Sequence, residues 1–197
     1  WEELIRSAFL DRINLSQTGH YATPAIFFDK KTEKGVPFAY YVFGTALTEV
    51  TVDCLRGCYT IDRVTIVHDA GKSMNPGLDK AQVEGALVQG IGWMTMEEVR
   101  YSASGKLLSD TLSNYKVPDI WSVPGEITCR FLPAEGPDAA VLGSKAIGEP
   151  PLMYGIGTWF ALLNAMKAFN REMPLVFDAP LTPEKVLLRL YDQSSFL

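Results

Sequence analysis

The chain has 197 residues, 47% hydrophobic and 21% charged, with no low-complexity stretch; that leaves room for one ordinary domain or two small ones around a sizeable core and excludes disorder. Its net charge is −5, and its 18 Lys and Arg are scattered without forming a stripe that could neutralise phosphates, which excludes nucleic acid as the expected partner. No window holds the roughly 20 apolar residues of a membrane helix and the acidic start lacks a secretory layout, so a cytoplasmic protein is expected.

From the N-terminus, "EELIRSAFLDRI" places Leu4, Ile5, Phe9 and Ile13 at helical spacing directly behind Trp1, with no initiator Met and no polar leader. The chain is expected to begin inside something larger. Next, "HYATPAIFFDK" and residues 36–71 are rich in β-branched and aromatic side chains. Val50 and Val52 alternate there with Glu49, Thr51 and Asp53, the period of a half-buried strand. Two antiparallel hairpins are predicted, turning at "KKTEKG" and "DCLRG", each with a glycine that can take a positive φ.

A helix follows over about 75–98, with Asn75 as N-cap and Pro76 at the first position, where its missing N–H costs nothing. Gly85, Gly90 and Gly92 inside it each cost roughly 1 kcal/mol relative to alanine, so another backbone or a ligand should pack close against them. Gln82 and Gln89 share a face with Gly85 and Ala86 between them. Their amides either meet a polar ligand or are solvated or bonded to neighbouring backbone. "EVRYSASGKLLSDT" then reads as strand, turn and strand, "YKVPDIWSVP" as loop and "GEITCRFLP" as a further strand. An apolar helix is expected over about 150–171. A last one starts at Thr182 and Pro183, turning Val186, Leu187 and Leu190 to a core. With no repeat and no long linker, residues 1–197 read as a single α+β unit with a mixed or antiparallel sheet and packed helices.

Cys54, Cys58 and Cys129 form no Cys-x-x-Cys, and His20 and His68 lie far apart. A disulfide framework and a zinc site are both disfavoured. The most informative stretch is "GSKAIGEPPLMYGIG", residues 143–157, with Glu149 between a glycine and two prolines at a helix entrance. Helix N-termini normally engage a nearby carboxylate, but Pro150 and Pro151 remove two donors, leaving little beyond the N–H of Leu152. Leu152, Met153, Tyr154 and Ile156 should make the surroundings apolar and raise the carboxylate's pKa, opposed by Lys145 if it comes close. Glu149 is therefore either a general base or a plain helix-start acid. A hydrolase pairing Glu97 with Glu98, or Glu149 with Glu135, is disfavoured, because neighbouring helical residues point apart and nothing in the sequence sets a productive carboxylate separation.

"GSKAIGEPPL" resembles the active-site segment of the xanthine dehydrogenase and xanthine oxidase family of molybdenum hydroxylases. "VHDAGKSMNPGLDKAQVEGALVQGIGWMTMEE", "LSQTGHYATP" and "SNYKVP" resemble further family segments in the same order. The resemblance runs over nearly the whole chain. It implies the C-terminal portion of a much longer cofactor-binding region, either a fragment or a split subunit. It further implies hydroxylation of an electron-poor purine carbon, of the hypoxanthine or xanthine type, with water as oxygen source. Glu149 falls on the family's catalytic base, which deprotonates the hydroxyl on molybdenum. Gln82, Gly85 and Gly148 fall on the cofactor side, and Asp69, Asn75 and Pro76 match a structural turn. Molybdenum would be held by the pterin dithiolene, so no metal ligand is expected from side chains. The rest of the molybdopterin-binding region, and FAD and 2Fe-2S clusters in other domains or subunits, would be its partners. "GEPP" resembles the purine-oxidising branch more than aldehyde oxidase. The alternatives are an aldehyde- or other N-heterocycle-oxidising member and a non-catalytic structural or assembly module.

Overall fold

Residues 1–134, 136 and 140–191 are described by the computed structural model, and backbone contacts divide the chain into two units, Trp1–Ala39 and Tyr40–Leu197, beside the single unit expected. The first holds α1 (Glu2–Leu10) and a hairpin of β1 (Phe27–Asp29) and β2 (Lys34–Val36), paired with Phe27 opposite Val36. Its turn is closed by the Asp29 carboxylate, which accepts from the Lys31 N–H and the Thr32 hydroxyl. None of its residues is buried, and Phe9 on the apolar face of α1 is 72% exposed.

The second unit is built on a three-stranded mixed sheet. β3 (Gly44–Val52) runs antiparallel to β4 (Tyr59–His68), and β5 (Glu126–Phe131) runs parallel to β4 on its other side. Ile61 and Val64 both face the core although they are an odd number of residues apart. A β-bulge makes this possible: Glu49 pairs with Arg63 and Val50 with Ile61, leaving Asp62 as the extra residue. The outer face is polar, with Arg63 bonded to Glu49 on β3 at 2.9 Å and 3.9 Å from Glu126 on β5.

Two helices cover the inner face. α2 (Pro76–Thr95) starts as the sequence predicts, the Asn75 side chain accepting from the Leu78 N–H and Pro76 opening the helix. It ends short of residue 98 because the Met96 and Glu97 N–H groups both turn back to the Gly92 carbonyl. Val83, Leu87 and Ile91 pack on Val64 and Ile66 of the sheet. α3 (Ile156–Phe169) forms a second cluster through Trp159, Leu162, Leu163 and Met166 with Leu181, Val186 and Leu190, the last two from α4 (Pro183–Leu190), which Thr182 caps.

Two elements differ from expectation. The helix predicted from Pro150 opens as a 3-10 helix, Pro150–Gly155, before α3 begins. Two prolines donate nothing, and the first available N–H, of Leu152, closes a three-residue turn on the Glu149 carbonyl. The strand pair expected at 98–111 is only an isolated bridge of Tyr101 with Leu107. Tyr101 and Leu108 stay exposed, so no buried face supports a longer ladder.

Candidate functional site

Residues 143–155 pass the end of β4 and lie against the middle of α2, at Gln82 and Gly90. The N–H of Lys72 donates to the Gly143 carbonyl, and Gly71 bridges Ser144. Lys145 donates its N–H to the Ala70 carbonyl and its ammonium to the Asp69 carboxylate, with both side chains nearly buried. The same ammonium lies 5.7 Å from the centroid of the Phe43 ring. Lys145 is thus engaged by Asp69, the role sequence left open for it beside Glu149.

Glu149 is the N-cap of the 3-10 helix, and its side chain makes no capping bond. Its own carbonyl takes the Leu152 N–H that the carboxylate could have used. Among the described residues the carboxylate is consequently free of its cap, as the two prolines predict. It is also exposed, and Met153 beside it is 57% exposed. The apolar enclosure expected from Leu152, Met153, Tyr154 and Ile156 is not supplied by the described residues, because the 3-10 turn directs Pro151 and Gly155 to the core instead.

Gln82 and Gly148 are brought together: a Cβ at position 148 would stand 3.2 Å from the Gln82 amide oxygen. Gln82 sits on an exposed stripe of α2 with Leu78, Gly85 and Gln89, and neither amide is bonded among the described residues. The three glycines of α2 part company here. A Cβ on Gly90 would overlap the Leu152 carbonyl oxygen, and one on Gly92 would overlap Pro118, so both are close approaches as predicted. Gly85 has nothing within 4 Å of such a Cβ, so the packing expected against it is absent from the described residues.

Sequence reasoning missed the buried polar group below this segment. Nδ1 of His68 lies 2.6 Å from the Tyr154 hydroxyl, 86 residues away in the chain, and both rings meet edge to face. The available signal was parity: His68 ends β4 on the same face as Ile66 and Val64, where a polar side chain demands a buried partner. Nε2 of His68 is buried and unpaired among the described residues. Burial pushes His68 below its ordinary value near 6.5, against the upward pull of the Asp69 charge. Burial likewise lifts the Tyr154 hydroxyl to about 12, with Cys129 and Asp69 adding to it. Burial works to raise Asp69, but the hydrogen bonds from Lys145 and the Gly71 N–H hold it below the usual carboxylate range.

The His68 shift predicts a stability change with a definite sign. An unfolded His68 binds a proton below pH 6.5 that the folded one resists, so its contribution is complete above 6.5 and is lost as pH falls from there. Denaturant unfolding between pH 7 and 5 should show stability falling by up to about 1.4 kcal/mol per pH unit from this group, and His68→Asn should flatten that slope. An unchanged slope in the variant would assign it elsewhere.

Of the paired-acid alternatives, the described residues reach only Glu97 with Glu98, and the two are engaged by different partners. Glu97 accepts from the Tyr115 hydroxyl, Glu98 pairs with Lys185 at 3.2 Å, and Glu135 lies outside the described residues. Among the described residues no three His, Cys, Asp or Glu side chains are arranged to hold a metal, and no helix is long and apolar enough to cross a membrane. A cleft of about 770 Å³ lined by Ile61, Ile91, Lys116, Val117 and Trp121 involves no residue of the 143–157 segment.

The sequence model of the molybdopterin cofactor-binding domain matches residues 1–124. The chain is similar to xanthine dehydrogenase/oxidase of Felis catus, at 40% identity over 200 residues covering 98% of this chain and 15% of that protein. Aldehyde oxidase 2 of Macaca fascicularis is 38% identical over 197 residues, with coverage of 98% and 15%. Among solved structures, the aldehyde oxidoreductase from Desulfovibrio gigas superposes with a TM-score of 0.72 at 26% identity, over 95% of this chain and 20% of that one. The chain spans about 15% of the length of the curated relatives it matches.

Proposed function

Because this chain belongs to the family of molybdopterin cofactor-binding domains, we propose that it forms one wall of the cofactor site of a molybdenum hydroxylase, an oxidoreductase, and carries the general base Glu149. One observation supports this reading above the others. A carboxylate at a helix entrance is left free of its cap, directly after the glycine that faces the Gln82 amide.

The residues present suit an organic cofactor that brings its own metal ligands. Gln82 offers an amide donor and acceptor, Gly148 leaves it room, and Gly85 opens a gap that any side chain would narrow. When bound beside Gln82, Gly85 and Gly148, molybdopterin would supply the two-electron redox chemistry that a side chain cannot. Glu149 would take the proton from the attacking oxygen, which is drawn from water, and release it to solvent once the substrate carbon is hydroxylated. Exposed in this chain, it would gain its desolvation when cofactor and the rest of the binding region cover the segment. Those remaining regions, with FAD and 2Fe-2S clusters carrying electrons onward, are the partners this reading requires, in a cytoplasmic enzyme.

The substrate class we assign is a purine of the hypoxanthine or xanthine type. An aldehyde is the second choice, favoured by an identity to aldehyde oxidase 2 nearly equal to that with xanthine dehydrogenase/oxidase. A non-catalytic assembly module is the remaining reading, favoured by apolar side chains such as Trp121, 90% exposed.

Molybdenum and pterin content separates these readings. The chain purified alone should carry none, and the chain co-expressed with the upstream part of its own gene neighbourhood should carry about one of each per site. Metal in neither sample would move the assembly reading ahead. With loaded enzyme in hand, turnover of xanthine against that of an aldehyde decides the substrate class.

A further inference from the structure

The loop that carries Glu149 stands on two feet, and the feet rest on adjacent residues. Lys145, four residues before Glu149, is tied to Asp69; Tyr154, five residues after it, is tied to His68. His68 and Asp69 lie at the end of β4, the central strand of the sheet, and are both buried. Glu149 therefore sits near the middle of a span whose two ends are referred to a single rigid point.

The Tyr154 foot is received in a built slot. Gly44, the first residue of β3, pairs directly with His68 in the sheet register. A Cβ on Gly44 would overlap the Tyr154 hydroxyl, so the missing side chain is what admits it. Three separate elements thus converge on one oxygen: the 3-10 helix supplies it, β4 bonds it and β3 makes room.

Stability alone does not call for such an arrangement. Two apolar side chains would fill the gap without leaving Nε2 of His68 unpaired among the described residues, since an unmet buried polar atom costs free energy. What a directional bond adds is position. The 3-10 helix needs that help, because its two leading prolines donate no hydrogen bonds and its first internal bond, from Leu152 to the Glu149 carbonyl, is 3.1 Å long.

We propose that the Tyr154–His68 hydrogen bond, seated in the Gly44 slot, is the fastening that sets the position of Glu149, making Tyr154 and His68 positioning residues for the proton-transfer step. The inference rests on the reading of Glu149 as the base. Misplacing a base affects the transition state more than substrate binding, so the loss falls on kcat and spares KM.

The test uses the complete, molybdenum-loaded enzyme. Tyr154→Phe, which removes one oxygen and keeps the ring, should lower kcat about tenfold with KM within about twofold and molybdenum content unchanged. Amide exchange at Leu152, Met153 and Tyr154 should quicken about tenfold as the turn loosens. His68→Asn, which keeps a bonding atom near the place of Nδ1, should hold kcat within about threefold of normal, whereas His68→Leu should match Tyr154→Phe. In a Glu149→Gln background, Tyr154→Phe should cause no further loss of kcat, because a position matters only while the base is there. Equal losses in both backgrounds, or unaltered exchange in Tyr154→Phe, would overturn the proposal. If Glu149→Gln proves fully active, the base reading fails by itself, and the exchange rates still decide whether the hydrogen bond fastens the loop.

Discussion

Glu149→Gln in the complete enzyme is expected to lower kcat by about 10³-fold while molybdenum and pterin content stay near normal. The substitution is nearly isosteric and removes only the capacity to accept a proton. The structure explains why it should not disturb the fold: the side chain makes no capping bond, and the turn is closed by the main-chain carbonyl. An acid that capped its helix would behave differently, because its loss would cost about 1 kcal/mol of stability and have little effect on turnover. Thermal unfolding and steady-state kinetics on the same two proteins therefore separate a base from a cap. A variant with normal kcat removes Glu149 from the mechanism, and one that loses metal moves it to the cofactor side.

Gly90→Ala is expected to destabilise the second unit by about 3 kcal/mol, a fall in Tm of roughly 10 °C, and Gly85→Ala to do the opposite. The two glycines lie five residues apart on α2 and look alike in sequence. At Gly90 the added methyl would overlap the Leu152 carbonyl oxygen in the 3-10 turn, whose Gly155 also packs against Gly90. The obstacle is backbone, so the turn itself must move, and Glu149 moves with it. Kinetic damage should accompany the loss of stability. At Gly85 no described residue beyond its own helix stands within 4 Å of an added Cβ, so the gain in helix propensity is unopposed, about 1 kcal/mol for the chain by itself. If Gly85 faces the pterin, the same change should lower cofactor content in the complete enzyme. A chain destabilised equally by both substitutions would contradict the contrast between the two positions.

Much of the local architecture was legible in sequence because its causes are short-ranged. Asn75 with Pro76 and Thr182 with Pro183 start their helices where predicted, since a cap needs only its own side chain and an N–H three residues on. The alternation around Val50 and Val52 located the β3–β4 hairpin, whose turn glycine, Gly57, takes a positive φ; in the β1–β2 hairpin Gly35 lies instead within β2 opposite Phe28, and the positive φ falls on Glu33. The proline pair identified a carboxylate released from capping at Glu149. The resemblance of the 67–98 segment agreed with the family match over residues 1–124, and that of both the 67–98 and 143–152 segments with the relatives that cover nearly the whole chain.

Other features depended on residues distant in the chain. The strand pair near Tyr101 and Leu107 has suitable residues but no apolar face to lie on, so it stays a single bridge. The three glycines of α2 share one propensity cost, yet only folding brings Leu152 to Gly90 and Pro118 to Gly92 while leaving Gly85 open. The burial expected at Glu149 was inferred from its neighbours in sequence, but exposure is set by what packs over a group, and the described residues leave it uncovered. By itself the sequence determined helix starts, strand periodicity and a carboxylate without a cap, because each is decided within a few residues by backbone donors and side-chain spacing. The tertiary structure alone decided that Lys145 and Tyr154 stand on Asp69 and His68, since those ties span 76 and 86 residues and exist only once the sheet and α2 have packed.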